Sequence, residues 1–140
     1  MAIIPELIRV NDDTTLSFGN HEATQKQKMD DFIHGEDIFR VRTHNEITRV
    51  QKNGELLIEA VPGATIHNFD KDDEQSHVFF LLEGLCNTNV TVQLKSDTAY
   101  QITCGKNKLG SMISNLSGKI SFSVDLAGDR TQKITIEEKR

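Results

Sequence analysis

Apolar and polar residues alternate along much of this chain, most cleanly over residues 90–126. Val90, Val92 and Leu94 fall two apart, with Thr91 and Gln93 between them. Tyr100, Ile102 and Cys104 repeat the spacing against Gln101 and Thr103, and Ile120, Phe122, Val124 and Leu126 repeat it against Ser121, Ser123 and Asp125. Successive side chains of a strand point to opposite faces, so each set offers an apolar face to a core and a polar face to water. A slip of one residue would turn every set outward, which fixes the register. Glycines punctuate the sets, and the pattern predicts a half-buried antiparallel sheet around which the rest of the chain closes.

Residues 3–10 and 14–18 predict two short strands around an Asn11-Asp12-Asp13 turn. Residues 20–31 are polar and Gln/Lys-rich, a loop or an edge segment. Phe32 and Ile33 lead into a turn at His34–Asp37, after which Phe39 and Val41 alternate with Arg40 and Arg42 on a strand. Residues 45–54 admit two readings. Asn45 caps a short helix over 45–52 that Asn53-Gly54 stops, or Asn53-Gly54 is a two-residue hairpin turn joining 47–51 to 56–61. The helix is preferred, because Ile47 and Val50 would face opposite sides of a strand. Val61-Pro62-Gly63 ends one strand and residues 64–69 give the next. The polar run DKDDEQS at 70–76 divides an N-terminal mainly-β region, 1–70, from a C-terminal β-sandwich, 71–140, where strands come at short, even spacing. The expected fold is all-β: an irregular N-terminal region packed on a C-terminal antiparallel, immunoglobulin-like sandwich.

At 140 residues a single shared core is large enough. The net charge of −5 arises in residues 1–70, where 12 acidic residues face 7 basic ones. An acidic chain without a basic stripe is a poor partner for nucleic acid or an anionic membrane, and no apolar run approaches the ~18 residues that span a bilayer. The N-terminal MAIIPELIRV has no basic region followed by a long apolar stretch, so a cytoplasmic location is expected. Cys86 and Cys104 lack metal or redox spacing and are expected as reduced thiols, Cys104 on a buried strand face and Cys86 in a loop.

Asp70, Asp72, Asp73 and Glu74 lack the spacing of a calcium loop and read as a solvated loop. His21, His34, His44, His67 and His77 follow no metal-ligand pattern and read as scattered surface or loop residues. No G-x-S-x-G elbow or phosphate-binding glycine loop occurs, so no catalytic residue, metal or cofactor is assigned. Arg40 and Arg42 share one strand face, with Arg49 near them in sequence. Their forked guanidiniums either grip a carboxylate or phosphate or pair with neighbouring Asp and Glu. The chain has no tryptophan, and Phe18, Phe39, Phe69 and Phe122 fall in core positions, which leaves little for stacking on a sugar.

Leu94, Thr98 and Tyr100 in L-x-x-x-T-x-Y spacing, followed by Ile102 and Cys104, resemble the tyrosine-corner stretch of fibronectin type III-like sandwiches, which are common among bacterial modules. The resemblance implies a Tyr100 hydroxyl tied to backbone at a strand corner. The chain departs from it in having Ser96 where such domains carry proline, and about three more strands after the corner, where that fold has about one. LIRVNDD at 7–13, LSFGN at 16–20, FRVRTHNEITRVQKNG at 39–54 and AVPGATIHNF at 60–69 are similar to small bacterial proteins of unknown role that carry the label endosialidase. That similarity implies a link to sialic-acid metabolism and names no catalytic residue. The expected function is a non-catalytic binding or assembly module acting through a protein surface, with a protein partner or a second copy. The alternative is a module for an acidic glycan or another anion, held by Arg40, Arg42 and Arg49.

Overall fold

The computed structural model describes residues 3–72, 77–126 and 130–139. Among them the chain forms β1 (Ile8–Val10), β2 (Leu16–Phe18), β3 (Gln27–His34), β4 (Asp37–Thr43), β5 (Thr48–Lys52), β6 (Glu55–Val61) and β7 (Thr65–Asp72). Then come β8 (His77–Gly84), β9 (Thr88–Gln93), β10 (Ala99–Cys104), β11 (Asn107–Ile113), β12 (Lys119–Val124) and β13 (Arg130–Glu138). No helix occurs among the described residues, so none is long and apolar enough to cross a membrane. The fold is an all-β sandwich. A seven-stranded sheet runs β1-β2-β7-β8-β13-β10-β11, and a six-stranded sheet runs β12-β9-β6-β5-β4-β3, with antiparallel pairing throughout.

The alternating sets land as the pattern predicts. Val90, Val92, Tyr100, Ile102, Ile120, Phe122, Val124 and Leu126 are all buried. β9 and β12 pair directly, Val92 opposite Ile120 and Val90 opposite Phe122, while β10 lies in the other sheet. The loop between β9 and β10 therefore carries the chain across the sandwich. The buried Tyr100 hydroxyl accepts the Lys95 backbone N–H there at 3.1 Å. Ser114, in the return crossing after β11, donates its hydroxyl to the Lys95 carbonyl at 2.5 Å. The core is continuous, and Phe18 of β2 meets Phe39 of β4 across the two sheets, ring centroids 6.2 Å apart.

Residues 45–52 are not helical. Residues 44–47 turn, β5 follows, and Asn53-Gly54 makes a two-residue hairpin into β6 with both φ angles positive, 53° and 82°. The helix expectation fails because Ile47 belongs to the turn; Thr48 and Val50 are the inward pair, and Arg49 points out. Thr48 is tolerated inside because its hydroxyl meets Thr43 Oγ1 at 2.9 Å and accepts the Ala64 N–H at 3.2 Å. The polar stretch 20–31 ends in β3, the edge strand of the six-stranded sheet. A bulge between Met29 and Phe32, with Asp31 at φ 56°, breaks its alternation.

The acidic run expected as a solvated boundary loop begins inside a strand: Asp70, Lys71 and Asp72 belong to β7 and pair with β8, while its residues 73–76 fall outside the described residues. Both sheets draw strands from either side of residue 70. Phe122→Ala should cost about 3–5 kcal/mol, since it empties a site closed by both sheets, whereas Ser123→Ala on the exposed face should change stability by less than about 0.5 kcal/mol. Equal losses from the two variants in urea unfolding would contradict the half-buried strand.

Candidate functional site

The outer face of the six-stranded sheet collects the arginines. Arg40 and Arg42 point outward from β4, as their alternation with Phe39 and Val41 requires, and Arg49 points outward from β5. Arg42 stands directly opposite Arg49 on one side and Lys28 of β3 on the other. Three adjacent strands therefore set three cations in one row, and Glu59 of β6 follows beside Arg49. Asp30 Oδ1 takes Arg42 at 2.8 Å and Arg40 at 3.2 Å, and Arg49 Nε donates to Glu59 at 2.7 Å. The hydrogen bond from Arg42, reinforced by Arg40, holds the Asp30 carboxyl below its ordinary range. These pairs are half-exposed, and such pairs contribute little to stability.

A hollow of about 360 Å³ lies beside the row, lined by Lys26, Arg42, Thr43, His44, Ile47 and Arg49. A second, of about 300 Å³, is lined by Arg49, Gln51, Leu56, Glu59, Thr91 and Lys119. Neither is lined by a Phe or Tyr ring. The alternation places Arg40 and Arg42 on one face of β4, and the fold sets Arg49 opposite Arg42. Sequence reasoning did not single out Lys26, which precedes β3, or His44, in the turn before β5, as neighbours of that face.

A third hollow, about 250 Å³, opens between the sheets, with Leu16, Phe39, Leu57 and Phe69 among its lining and Asp13 and Asp70 at its rim. Both carboxylates are exposed. Hydrogen bonds from the Thr15 side chain and backbone pull the Asp13 carboxyl below its ordinary range. A glycosidase acid needs a pKa pushed upward by burial, so this rim has the opposite electrostatics on Asp13.

Of the histidines expected at the surface or in loops, His21 and His44 do lie in loops but are buried, and His67 is corrected outright, being buried on β7. His67 Nε2 meets Glu83 Oε1 at 2.9 Å across β7 and β8, on the face of the seven-stranded sheet turned away from the core. His21, in the crossing after β2, places Nδ1 2.7 Å from the Thr65 hydroxyl, and its Nε2 is buried without a hydrogen-bond partner. In sequence, Thr65 and His67 alternate with Ile66, and nothing local signals that they are buried. Among the described residues no group of three or more His, Cys, Asp or Glu side chains is placed to hold a metal ion. Cys86 is exposed and Cys104 buried, both free; burial, with a smaller push from Asp125, moves the Cys104 thiol upward, away from a reactive thiolate.

Glu83→Ala should destabilise the protein by about 1–3 kcal/mol, because it leaves His67 Nε2 buried without its hydrogen-bond partner. Glu83→Gln, which keeps an acceptor near His67, should cost less. Urea unfolding of the two variants checks this, and an unchanged midpoint for Glu83→Ala would contradict it. No protein-family model, curated protein or solved structure matches this chain.

Proposed function

We propose that the chain is a non-catalytic binding or assembly module that acts through a protein surface, the free edge of β11, by pairing with a second copy. β11 ends the seven-stranded sheet, so among the described residues one side of its backbone has no neighbouring strand. The observation that carries the reading is the apolar surface on this edge. Ile113 is 70% exposed, Leu109 41%, and Leu116, in the turn that follows, 89%. Unpaired backbone groups beside exposed apolar side chains are a template for strand addition.

The other edges are blunted. β1 has only three residues. β3 carries Lys28, Asp30 and Asp31 together with its bulge. β12 turns Ser121 and Ser123 outward. A two-fold pairing centred on Gly110 would set Lys108 opposite Met112 and Asn107 opposite Ile113, with no like charges apposed. A second reading, recognition of an acidic glycan or another anion, is favoured by the cation row of Lys28, Arg42 and Arg49.

Light scattering after size exclusion, or sedimentation equilibrium, over roughly 10–300 µM should show a concentration-dependent dimer. Ile113→Lys and Leu116→Lys should shift it to monomer while leaving the melting temperature unchanged at dilutions where the unmodified chain is itself monomeric. A monomer at every concentration would contradict the pairing.

A further inference from the structure

Deepening the second reading above, we infer that the hollow beside Arg42 and Arg49 is a binding site for a small organic anion bearing a carboxylate or phosphate group. Lys28, Arg42 and Arg49 occupy directly opposed positions on three neighbouring strands, and like charges so opposed repel. The carboxylates that relieve them approach from the flanks: Asp30 from β3 and Glu59 from β6. Lys26, Lys28, Arg40, Arg42 and Arg49 face only Asp30 and Glu59 as their ion-pair partners among the described residues, an excess of three positive charges on a chain whose net charge is −5. An anion seated beside Arg42 and Arg49 removes the repulsion that the fold leaves uncompensated.

The donors for it are present. Arg49 engages Glu59 through Nε and Arg42 engages Asp30 through Nη1, so each guanidinium fork keeps further N–H groups. Lys26 adds a flexible ammonium on the same hollow. The buried His44 adds a fixed ring: its Nδ1 accepts the Glu46 N–H at 3.2 Å, which leaves Nε2 as the ring's donor. Ile47 supplies an apolar wall, and about 360 Å³ lies within the range of small-molecule sites, larger than a bare inorganic ion requires. Arg40 does not line the hollow. It stands opposite Gln51 and is engaged by Asp30.

The test is a titration of the isotope-labelled full chain with phenyl phosphate, benzoate and neutral benzyl alcohol, followed by backbone amide NMR at physiological salt. Saturable shifts are expected at Lys26, at residues 42–47 and at Arg49, with phenyl phosphate, benzoate or both, and none with benzyl alcohol. Whichever anion saturates identifies the group recognised. Arg42→Gln and Arg49→Gln should each weaken binding about tenfold or more, and neither should lower the melting temperature appreciably, since the half-exposed ion pair each removes contributes little and its opposed like charge goes with it. Arg49→Lys, which keeps the charge and loses the fork, should retain part of the affinity, and Arg40→Gln should bind like the unmodified protein. Saturation by benzyl alcohol, or unchanged affinity in both Gln variants, would overturn the site. Shifts centred on Arg40 or Lys119 would overturn this hollow while leaving anion recognition by the face intact, and no saturable shift with either anion would overturn both.

Discussion

The sandwich depends on one close approach of backbone to backbone. Gly63 lies in the crossing from β6 to β7, and a Cβ there would overlap the carbonyl oxygen of His44. Its own N–H donates to the Asn45 carbonyl at 3.1 Å, and Asn45 in turn donates to the Ala23 carbonyl at 2.8 Å. Three segments thus meet at one end of the molecule: the crossing after β2, the turn between β4 and β5, and the crossing after β6. Their polar groups are taken up by buried threonines. Thr43 accepts the Asn20 N–H, Thr48 accepts the Ala64 N–H, and Thr88 donates to the Pro62 carbonyl. Without these hydroxyls, backbone donors and acceptors would be buried unpaired, at a cost of about 1–3 kcal/mol each.

The same junction shapes the surface. By fixing residues 44–47 as a turn, it brings β5 back along β4 in the register that sets Arg49 opposite Arg42. It also fixes the backbone that carries His44 to the edge of the hollow. The row of cations is therefore a consequence of how the sheets are closed, and it lies near the β3 edge of its sheet. The apolar β11 edge terminates the other sheet. The two features are built from different strands, so a change at one should leave the other intact.

Much of this was legible in the chain, for a definite reason. A strand repeats every two residues, so Val90, Val92, Ile120, Phe122 and the outward Arg40 and Arg42 declare their faces locally. Pairing order does not declare itself. Nothing in the sequence says that β9 takes β12 as its neighbour while β10 crosses to the other sheet, because that depends on where the loops after Gln93 and Ile113 travel. Polar residues mislead when a distant partner satisfies them. Thr48 is buried only because Thr43 and Ala64 are brought to its hydroxyl. The helix expectation for residues 45–52 arises because Ile47, which belongs to the turn, is counted with Val50 on one strand. His67 looks wet until Glu83 arrives from the next strand. Lys26 and His44 were invisible as a pair because only the folded turn places them on one hollow.

Gly63→Ala tests the closure most directly, with Gly54→Ala as its control. Gly54 sits at φ 82° with open space around it, so an alanine there meets only backbone strain, about 1–2 kcal/mol. Gly63 has no such φ, and its alanine meets the His44 backbone, which cannot swing aside as a side chain would. In urea unfolding, Gly63→Ala should lose about 3 kcal/mol or more, exceeding the loss at Gly54, with amide signals of residues 20–23, 43–48 and 62–65 displaced together. A Gly63→Ala protein as stable as the unmodified chain, with those signals in place, would contradict the account.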